Sequence, residues 1–232
     1  MISQIFISRK NKNKKMQFFI ASFIIALSLY TTINHNSTRD TFVANFISKS
    51  KAQEINSNTT HMKEIAAIKK AAQGFFSHIR FADKLYDMNQ LSFKDIQGKD
   101  HKLLEFNGKP ILINLWAIWC APCRMEMPEL AQLKHDMGGD NFDVIAINVD
   151  TTASPEKIQK FLHEIQADHL VYYRDKTMNI FRNIRKQGLA MGLPVTLLID
   201  KKGRLIASLN GSAPWANDDA KALIKAVIEE IK

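Results

Sequence analysis

The fold is decided by the stretch Pro110-Ile-Leu-Ile-Asn-Leu-Trp116 and, after three intervening residues, Cys120-Ala-Pro-Cys123. The first run is mostly apolar, which is typical of a strand buried on both faces of a sheet. Residues 121–137 then have a helical pattern, and Pro122 lies in the first turn, where its missing amide hydrogen costs little. The sequence therefore predicts a cysteine pair at the junction between a buried strand and the start of a helix.

The chain from about residue 91 onward alternates strand patterns with helix patterns. Ser154 and Pro155 are typical of a helix start, and Gly203 supplies the turn of a late hairpin. Strands separated by helices and followed by a hairpin predict an α/β sandwich with a mixed sheet. The predicted strands cover residues 142–149, 170–173, 195–199 and 205–209, and the predicted helices cover residues 155–166, 177–186 and 216–231.

The N-terminal segment has a different composition. Residues 1–15 contain five lysines and arginines and no acidic residue, and residues 16–33 are mostly apolar and carry no charge. At about 1.5 Å per residue, a helix over residues 16–33 would be about 27 Å long, enough for a bilayer core. The preceding basic run favours a cytosolic N-terminus, so we expect residues 1–15 in the cytosol and residues 16–33 to be a signal-anchor. A cleaved signal peptide is one alternative, although Ala26-Leu-Ser28 is a poor cleavage site. A core helix is another, but it would leave the charge asymmetry of the flanking residues unexplained.

Residues 34–60 are rich in Asn, Ser and Thr, and this composition predicts a tether, with a short helix on the membrane surface as a further possibility within it. His61–Ile79 has a helical apolar pattern, so a helix is expected to complete the region 34–90. The main domain is then predicted to cover residues 91–232.

The charge of the chain argues against nucleic acid as a partner. The formal net charge is +9, but five of the positive charges lie within the first fifteen residues. The remainder shows no sustained basic stripe with interleaved aromatic residues, so we expect no nucleic-acid binding.

The two cysteines are better suited to redox chemistry than to a structural role. They are three positions apart, so a disulfide between them closes only a small loop and adds little to stability. At the start of a helix, unpaired amide hydrogens and the helix dipole stabilise a thiolate. We expect Cys120 to be the more exposed and to attack a partner disulfide, and Cys123 to resolve the mixed disulfide. Two inert core cysteines remain the alternative.

Metal binding is not expected at this pair. A structural zinc site needs four ligands, whereas the chain has two cysteines and the nearest histidine is His135. The expected redox group is therefore the Cys120–Cys123 disulfide itself, with no metal and no other cofactor.

The segment Trp116-Ala-Ile-Trp-Cys-Ala-Pro-Cys-Arg-Met-Glu-Met-Pro128 resembles the active-site segment of the TlpA-like branch of the thioredoxin superfamily. It is also similar to related proteins that act in cytochrome c and cytochrome oxidase assembly. Residues 142–150, 192–200 and 211–215 resemble the same family. The resemblance implies a thioredoxin-like three-layer sandwich with a mixed sheet and thiol:disulfide interchange activity.

The resemblance also implies roles for residues outside the cysteine pair. The Leu193–Pro194 bond would be cis and would face the cysteines, and the Leu193 backbone would pair with an incoming peptide. A trans proline at the start of a strand is the alternative. Trp119 would lie beside the pair and form part of the contact surface for the substrate, whereas Trp116 would be more buried.

Glu126 matches an acidic position of the cytochrome-maturation relatives, where a carboxylate near the cysteines helps to move protons. The alternative is a solvated glutamate on the helix surface. Asn114 stands where thioredoxins carry a buried aspartate, so the proton-transfer role would pass to Glu126 or to water. Asn114 itself would then only satisfy backbone groups.

The function implied by the resemblance is that of a reductase in the bacterial cell envelope. The protein would be a single-pass inner-membrane protein with its catalytic domain in the periplasm. It would reduce cysteine pairs of copper sites or of apocytochrome c and take electrons from a membrane thiol reductase. A disulfide oxidase or isomerase is an alternative, as is a copper-transfer chaperone, although such chaperones use Cys-x-x-x-Cys. Peroxide reduction is not expected, because Ala117 replaces the Thr or Ser of peroxide-reducing relatives.

Overall fold

The computed structural model describes the backbone of residues 37–231 and the side chains of residues 43–231. The predicted cytosolic segment and the predicted anchor over residues 16–33 lie outside this range. Among the described helices, none combines the length and apolar character that crossing a membrane requires.

The described part of the chain divides into two compact units, of which the first ends at Asn56 and the second begins at Ser57. The first helix within the described residues, α1, covers Ser37–Lys69, so the helix predicted over His61–Ile79 begins earlier and ends earlier than expected. Its early start is explained by composition, because no Gly or Pro occurs between residues 37 and 73 to interrupt a helix. Beyond Lys69 the chain turns, and Gly74 adopts a φ of +53°, a conformation that favours glycine.

A mixed sheet organises the second unit, as predicted. In the described part of the chain it has the strand order β1-β8-β7-β4-β5-β6-β2-β3. Strands β4, β5 and β6 run parallel to one another, and β7 lies antiparallel to β4. The strands are β1 Arg80–Phe81, β2 Ser92–Lys94, β3 Asp100–Lys102, β4 Ile111–Trp116, β5 Asp143–Asn148, β6 Tyr172–Arg174, β7 Val195–Ile199 and β8 Leu205–Asn210.

The helices of this unit follow the predicted pattern closely. They are α2 Ala121–Met137, α3 Pro155–Glu164, α4 Asn179–Lys186 and α5 Asp218–Glu230, with short 3-10 helices at Gly74–His78 and Leu103–Phe106. Ser154 caps α3 by accepting a hydrogen bond from the Lys157 amide. The strand Arg80–Phe81 pairs with β8, so the sheet includes residues before the predicted domain start at residue 91.

The core surrounds β4, the central strand. Every residue of β4 is buried, which explains why its sequence is apolar on both faces. Trp116, Trp215 and Phe76 are among the largest fully buried side chains. The cysteine pair follows the carboxyl end of β4, so this buried strand positions the site.

A cluster of ionic side chains joins the last turns of α1 to the β7–β8 hairpin. Arg204 donates from Nε to Asp200 Oδ2 at 2.5 Å and from Nη2 to Glu64 Oε2 at 3.2 Å. His61 is fully buried, and its Nε2 donates to the Leu205 carbonyl at 3.0 Å, because a carbonyl can only accept. These side chains fasten the end of α1 to the sheet through charge-assisted bonds.

Candidate active site

Cys120 and Cys123 form a disulfide at the start of α2, at the predicted junction between strand and helix. Cys120 is the N-cap residue, and its Sγ accepts a hydrogen bond from the Cys123 amide at 3.3 Å. Cys120 is 5% exposed and Cys123 is 0% exposed. The order of exposure is therefore the expected one, and Cys120 is the sulfur that a partner can reach.

The Leu193–Pro194 bond is cis, as the resemblance implied. Val195 of β7 pairs with Leu115 of β4 in an antiparallel register. In this register, the Leu193–Pro194 bond lies level with the carboxyl end of β4, which is the end from which the chain continues to Cys120. The predicted proline loop and the cysteine pair therefore share one end of the sheet.

Exposed apolar side chains surround this end of the molecule. Trp119, next to Cys120, is 64% exposed, whereas Trp116 is fully buried. Met125 on α2 and Met191 in the proline loop are also exposed. Large apolar side chains held in water around a reactive group are typical of a surface that contacts another protein.

Glu126 is buried, so the alternative of a solvated helix glutamate is wrong. It follows Cys123 by three residues and thus lies on the same face of α2, one turn further along. Its Oε1 accepts a hydrogen bond from Asn114 Nδ2 at 2.8 Å, and its Oε2 accepts one from the Ala213 amide at 3.1 Å. Burial raises the pKa of the Glu126 carboxyl to about 7, against the opposing effect of these hydrogen bonds.

Asn114 bonds two side chains rather than the backbone, contrary to prediction. Its Nδ2 donates to Glu126 Oε1 and to Thr196 Oγ1, the latter at 2.9 Å. Its Oδ1 is buried and has no hydrogen-bond partner among the described residues. Thr196, two residues after the cis proline, was not predicted as part of the site. The available signal was a hydroxyl side chain within a strand that is otherwise apolar.

A groove of about 290 Å³ passes beside the buried carboxyl. Glu126 is one of the residues that line this groove, although its side chain is 2% exposed. The groove is also lined by Phe75, Met125, Glu129, Ser212, Ala213 and Pro214.

A disulfide that caps a helix after the central strand, with a cis proline at the same end of the sheet, is the arrangement that thioredoxin-like folds use to exchange thiols and disulfides. The fold and the site thus define the chain as a thiol–disulfide oxidoreductase. It belongs to the AhpC/TSA family, whose sequence model matches residues 83–209.

Known proteins similar to this chain fit the same class. The thioredoxin-like protein YneN of Bacillus subtilis is 31% identical over 113 residues, which cover 48% of this chain and 62% of YneN. The thiol-disulfide oxidoreductase ResA of Geobacillus thermodenitrificans is 28% identical over 141 residues, which cover 60% of this chain and 72% of ResA. Among solved structures, a DsbE-like thiol:disulfide interchange protein from Chlorobium tepidum matches with a TM-score of 0.52 at 25% identity, covering 65% of this chain and 99% of that one.

Proposed function

We propose that this protein is a reductase that transfers two electrons from its cysteine pair to a disulfide of a partner protein. The Cys120 thiolate attacks one sulfur of the partner disulfide, which forms a mixed disulfide and releases the other partner sulfur as a thiolate. Cys123 then attacks the Cys120 sulfur and forms the Cys120–Cys123 disulfide. The partner leaves as a dithiol after its two sulfurs have each taken up a proton.

The observation that carries this proposal is the pairing of a helix-capping disulfide with a buried acid one turn behind it. The start of α2 stabilises the Cys120 thiolate, and the residual exposure of Cys120 lets a partner sulfur approach it. Cys123 is fully buried and needs a nearby group to take its proton before it can attack. Glu126, with a pKa of about 7, is suited to exchange that proton near neutral pH.

The proposed partners are proteins that carry a cysteine pair for a copper site or for haem attachment in apocytochrome c. The resemblance of the active-site segment to TlpA-like proteins and their assembly relatives supports this choice. The electrons would come from a membrane thiol reductase. We place the domain on the periplasmic face of a bacterial inner membrane, held by residues 16–33, because the basic residues precede this apolar run.

The reduction potential of the Cys120–Cys123 pair tests the direction of electron flow. A reductase is expected to have a potential below about −180 mV, the value of protein disulfide isomerase. Equilibration of the purified protein with glutathione or dithiothreitol buffers, followed by quantification of free thiols, measures it. A value near about −120 mV, that of a strong oxidant, would exclude a reductase.

A trapping experiment identifies the partner. Cys123→Ser leaves Cys120 able to attack and unable to be displaced, so mixed disulfides should accumulate in cells that express it. Cys120→Ser is the matched control, because it removes the attacking sulfur and should trap nothing. Equal trapping by both variants would contradict the assigned roles. Mass spectrometry of the captured proteins then shows whether they carry copper-site or haem-attachment cysteines.

The side of the membrane is tested separately in spheroplasts. A membrane-impermeant maleimide should label reduced Cys120 in intact spheroplasts as fully as in lysed ones. Labelling that requires lysis would overturn the periplasmic assignment.

A further inference from the structure

We propose that Asn114, together with Thr196, is the residue pair that positions Glu126 beside the cysteines in both of its protonation states. This inference rests on the proposed function only for the role of Glu126 in proton exchange. The hydrogen bonds that carry it belong to the fold itself.

The amide of Asn114 is fully used as a donor. A primary amide has two N–H hydrogens, and here one points to Glu126 Oε1 and the other to Thr196 Oγ1, at 2.8 Å and 2.9 Å. All three side chains are at least 98% buried, so water does not compete for these bonds. The position of the carboxyl is thereby tied to β4 and β7 rather than to α2 alone.

The oxygen of the same amide, Asn114 Oδ1, provides a second observation in support of the proposal. It is buried and accepts no hydrogen bond among the described residues, which costs free energy in a folded protein. A protonated Glu126 needs an acceptor for its O–H, and Asn114 supplies one if its amide rotates by half a turn. Thr196 can follow this rotation, because a hydroxyl both donates and accepts. Asn114 can therefore pair with the carboxylate through N–H and with the carboxylic acid through its oxygen.

An aspartate at the same position would behave differently. Two carboxyls at hydrogen-bond distance in a buried site do not both ionise, so they share a proton and titrate as a pair. The neutral amide lets Glu126 change its charge alone. The segments that supply the other partners of this carboxyl are uncharged as well: β4, β7 and residues 211–215 contain no ionisable side chain.

Ionisable side chains that lie near Glu126 are the two cysteines at the start of α2 and Glu129, which lines the same groove. Glu129 is held by a hydrogen bond from the Ala216 amide at 3.0 Å. The 3-10 helix at Gly74–His78 contributes Phe75 to this groove, whereas His78 lines a different cavity. A shift in the titration of Glu126 on changing Asn114 can therefore be assigned to the lost amide.

The first measurement is the titration of Glu126 itself. In protein labelled with ¹³C at the glutamate carboxyl, the Glu126 signal is assigned by its absence in Glu126→Gln and followed against pH in the oxidised protein. Asn114→Leu removes a donor that stabilises the carboxylate, so the midpoint should rise by about one pH unit or more. Asn114→Asp should replace the single transition with two coupled ones. Unchanged single midpoints in both variants would overturn the inference.

Thr196 provides the conservative test. Thr196→Val removes the hydroxyl while keeping the shape, leaves one Asn114 hydrogen without its acceptor and should also shift the midpoint. Thr196→Ser keeps the hydroxyl, so Glu126 in this variant should titrate with the wild-type midpoint. If both Thr196 variants titrate as the wild type does, Thr196 has no part in positioning the carboxyl. This pair keeps the test informative even if a substitution at Asn114 prevents folding.

A kinetic measurement separates this inference from the proposed function. The rate at which the reduced protein reduces a model disulfide, 5,5′-dithiobis(2-nitrobenzoate), is measured from pH 5 to pH 9. The proposed function requires the wild type to react and Glu126→Gln to lose one limb of the pH profile. The inference requires Asn114→Leu and Thr196→Val to move that limb in the direction of the NMR midpoint. A wild type without activity contradicts the proposed function, whereas an active wild type whose limb stays fixed in both variants contradicts the inference.

Discussion

The single side chain of Glu126 makes the stability of the folded protein depend on pH. Its pKa of about 7 in the fold lies above the ordinary glutamate value, because burial disfavours the charged carboxylate. Between the two values the folded state binds more protons, so stability falls as pH rises and levels off above the folded pKa.

We therefore expect the oxidised protein to lose about 3 kcal/mol of unfolding free energy between about pH 4.5 and pH 8 through this group. Urea unfolding at a series of pH values measures the loss. Glu126→Gln cannot ionise, so its stability should depend less steeply on pH, whatever its absolute value. Parallel curves for the two proteins would show that Glu126 is not buried with a raised pKa.

Single residues were predictable from sequence to different extents. The role of the cysteine pair could be predicted from its position after a buried strand, and the roles of Pro194 and Glu126 from the resemblance. The contacts of Glu126 are not readable, because its partners Asn114 and Ala213 lie 12 and 87 positions away in the chain. Burial of a carboxyl depends on such distant partners, and a helix pattern alone permits an exposed one.

At the scale of elements, Arg204 holds α1 against the β7–β8 hairpin. It is 7% exposed and pairs with Asp200 and Glu64, so its removal leaves two carboxylates without their guanidinium partner. Arg204→Met should lower the free energy of unfolding by about 3–5 kcal/mol.

The matched control for this prediction is Arg182→Met on α4. The Arg182 side chain is exposed and bonds only Asn179 among the described residues, so the change should stay within about 0.5 kcal/mol. Urea unfolding of the two variants at one pH compares them. Similar stability of both would mean that the buried cluster contributes little.

Helices and strands with a strong periodic pattern were predicted to within a few residues, and the short strands β1, β2 and β3 were not. Strand β4 and helix α2 each bury a continuous stripe, so the chain carries a clear signal for them. Strands β1, β2 and β3 have two or three residues each, too few to show alternation. The length of helix α1 was underestimated, because the polar residues before His61 suggested a tether with at most a short helix, whereas such residues do not prevent a long one.

At the scale of the molecule, the residues of the site all lie within the unit formed by residues 57–232. A fragment of residues 57–232 should therefore fold, form the Cys120–Cys123 disulfide and reduce the model disulfide at close to the full-length rate. Comparing the rates of the fragment and of detergent-solubilised full-length protein tests this. A fragment that folds and reacts more than about tenfold slower would show that residues before Ser57 take part in the chemistry.

The fold class could be predicted because the hydrophobic pattern of the sequence indicates the order of strands and helices. The extent of the folded unit could not, since it depends on which sheet edge the N-terminal residues reach. The division into residues 1–15, 16–33, 34–90 and 91–232 remains a prediction for its membrane part.

The solvent-exposed indole of Trp119 beside the disulfide gives this protein a built-in optical reporter. Trp116 and Trp215 are at most 1% exposed and should emit as indoles in an apolar interior, whereas Trp119 is 64% exposed and should emit as an indole in water. A neighbouring disulfide quenches indole fluorescence, so reduction should brighten the red-shifted part of the emission. Stopped-flow fluorimetry could then follow each turnover without any added dye, and Trp119→Phe should abolish the signal.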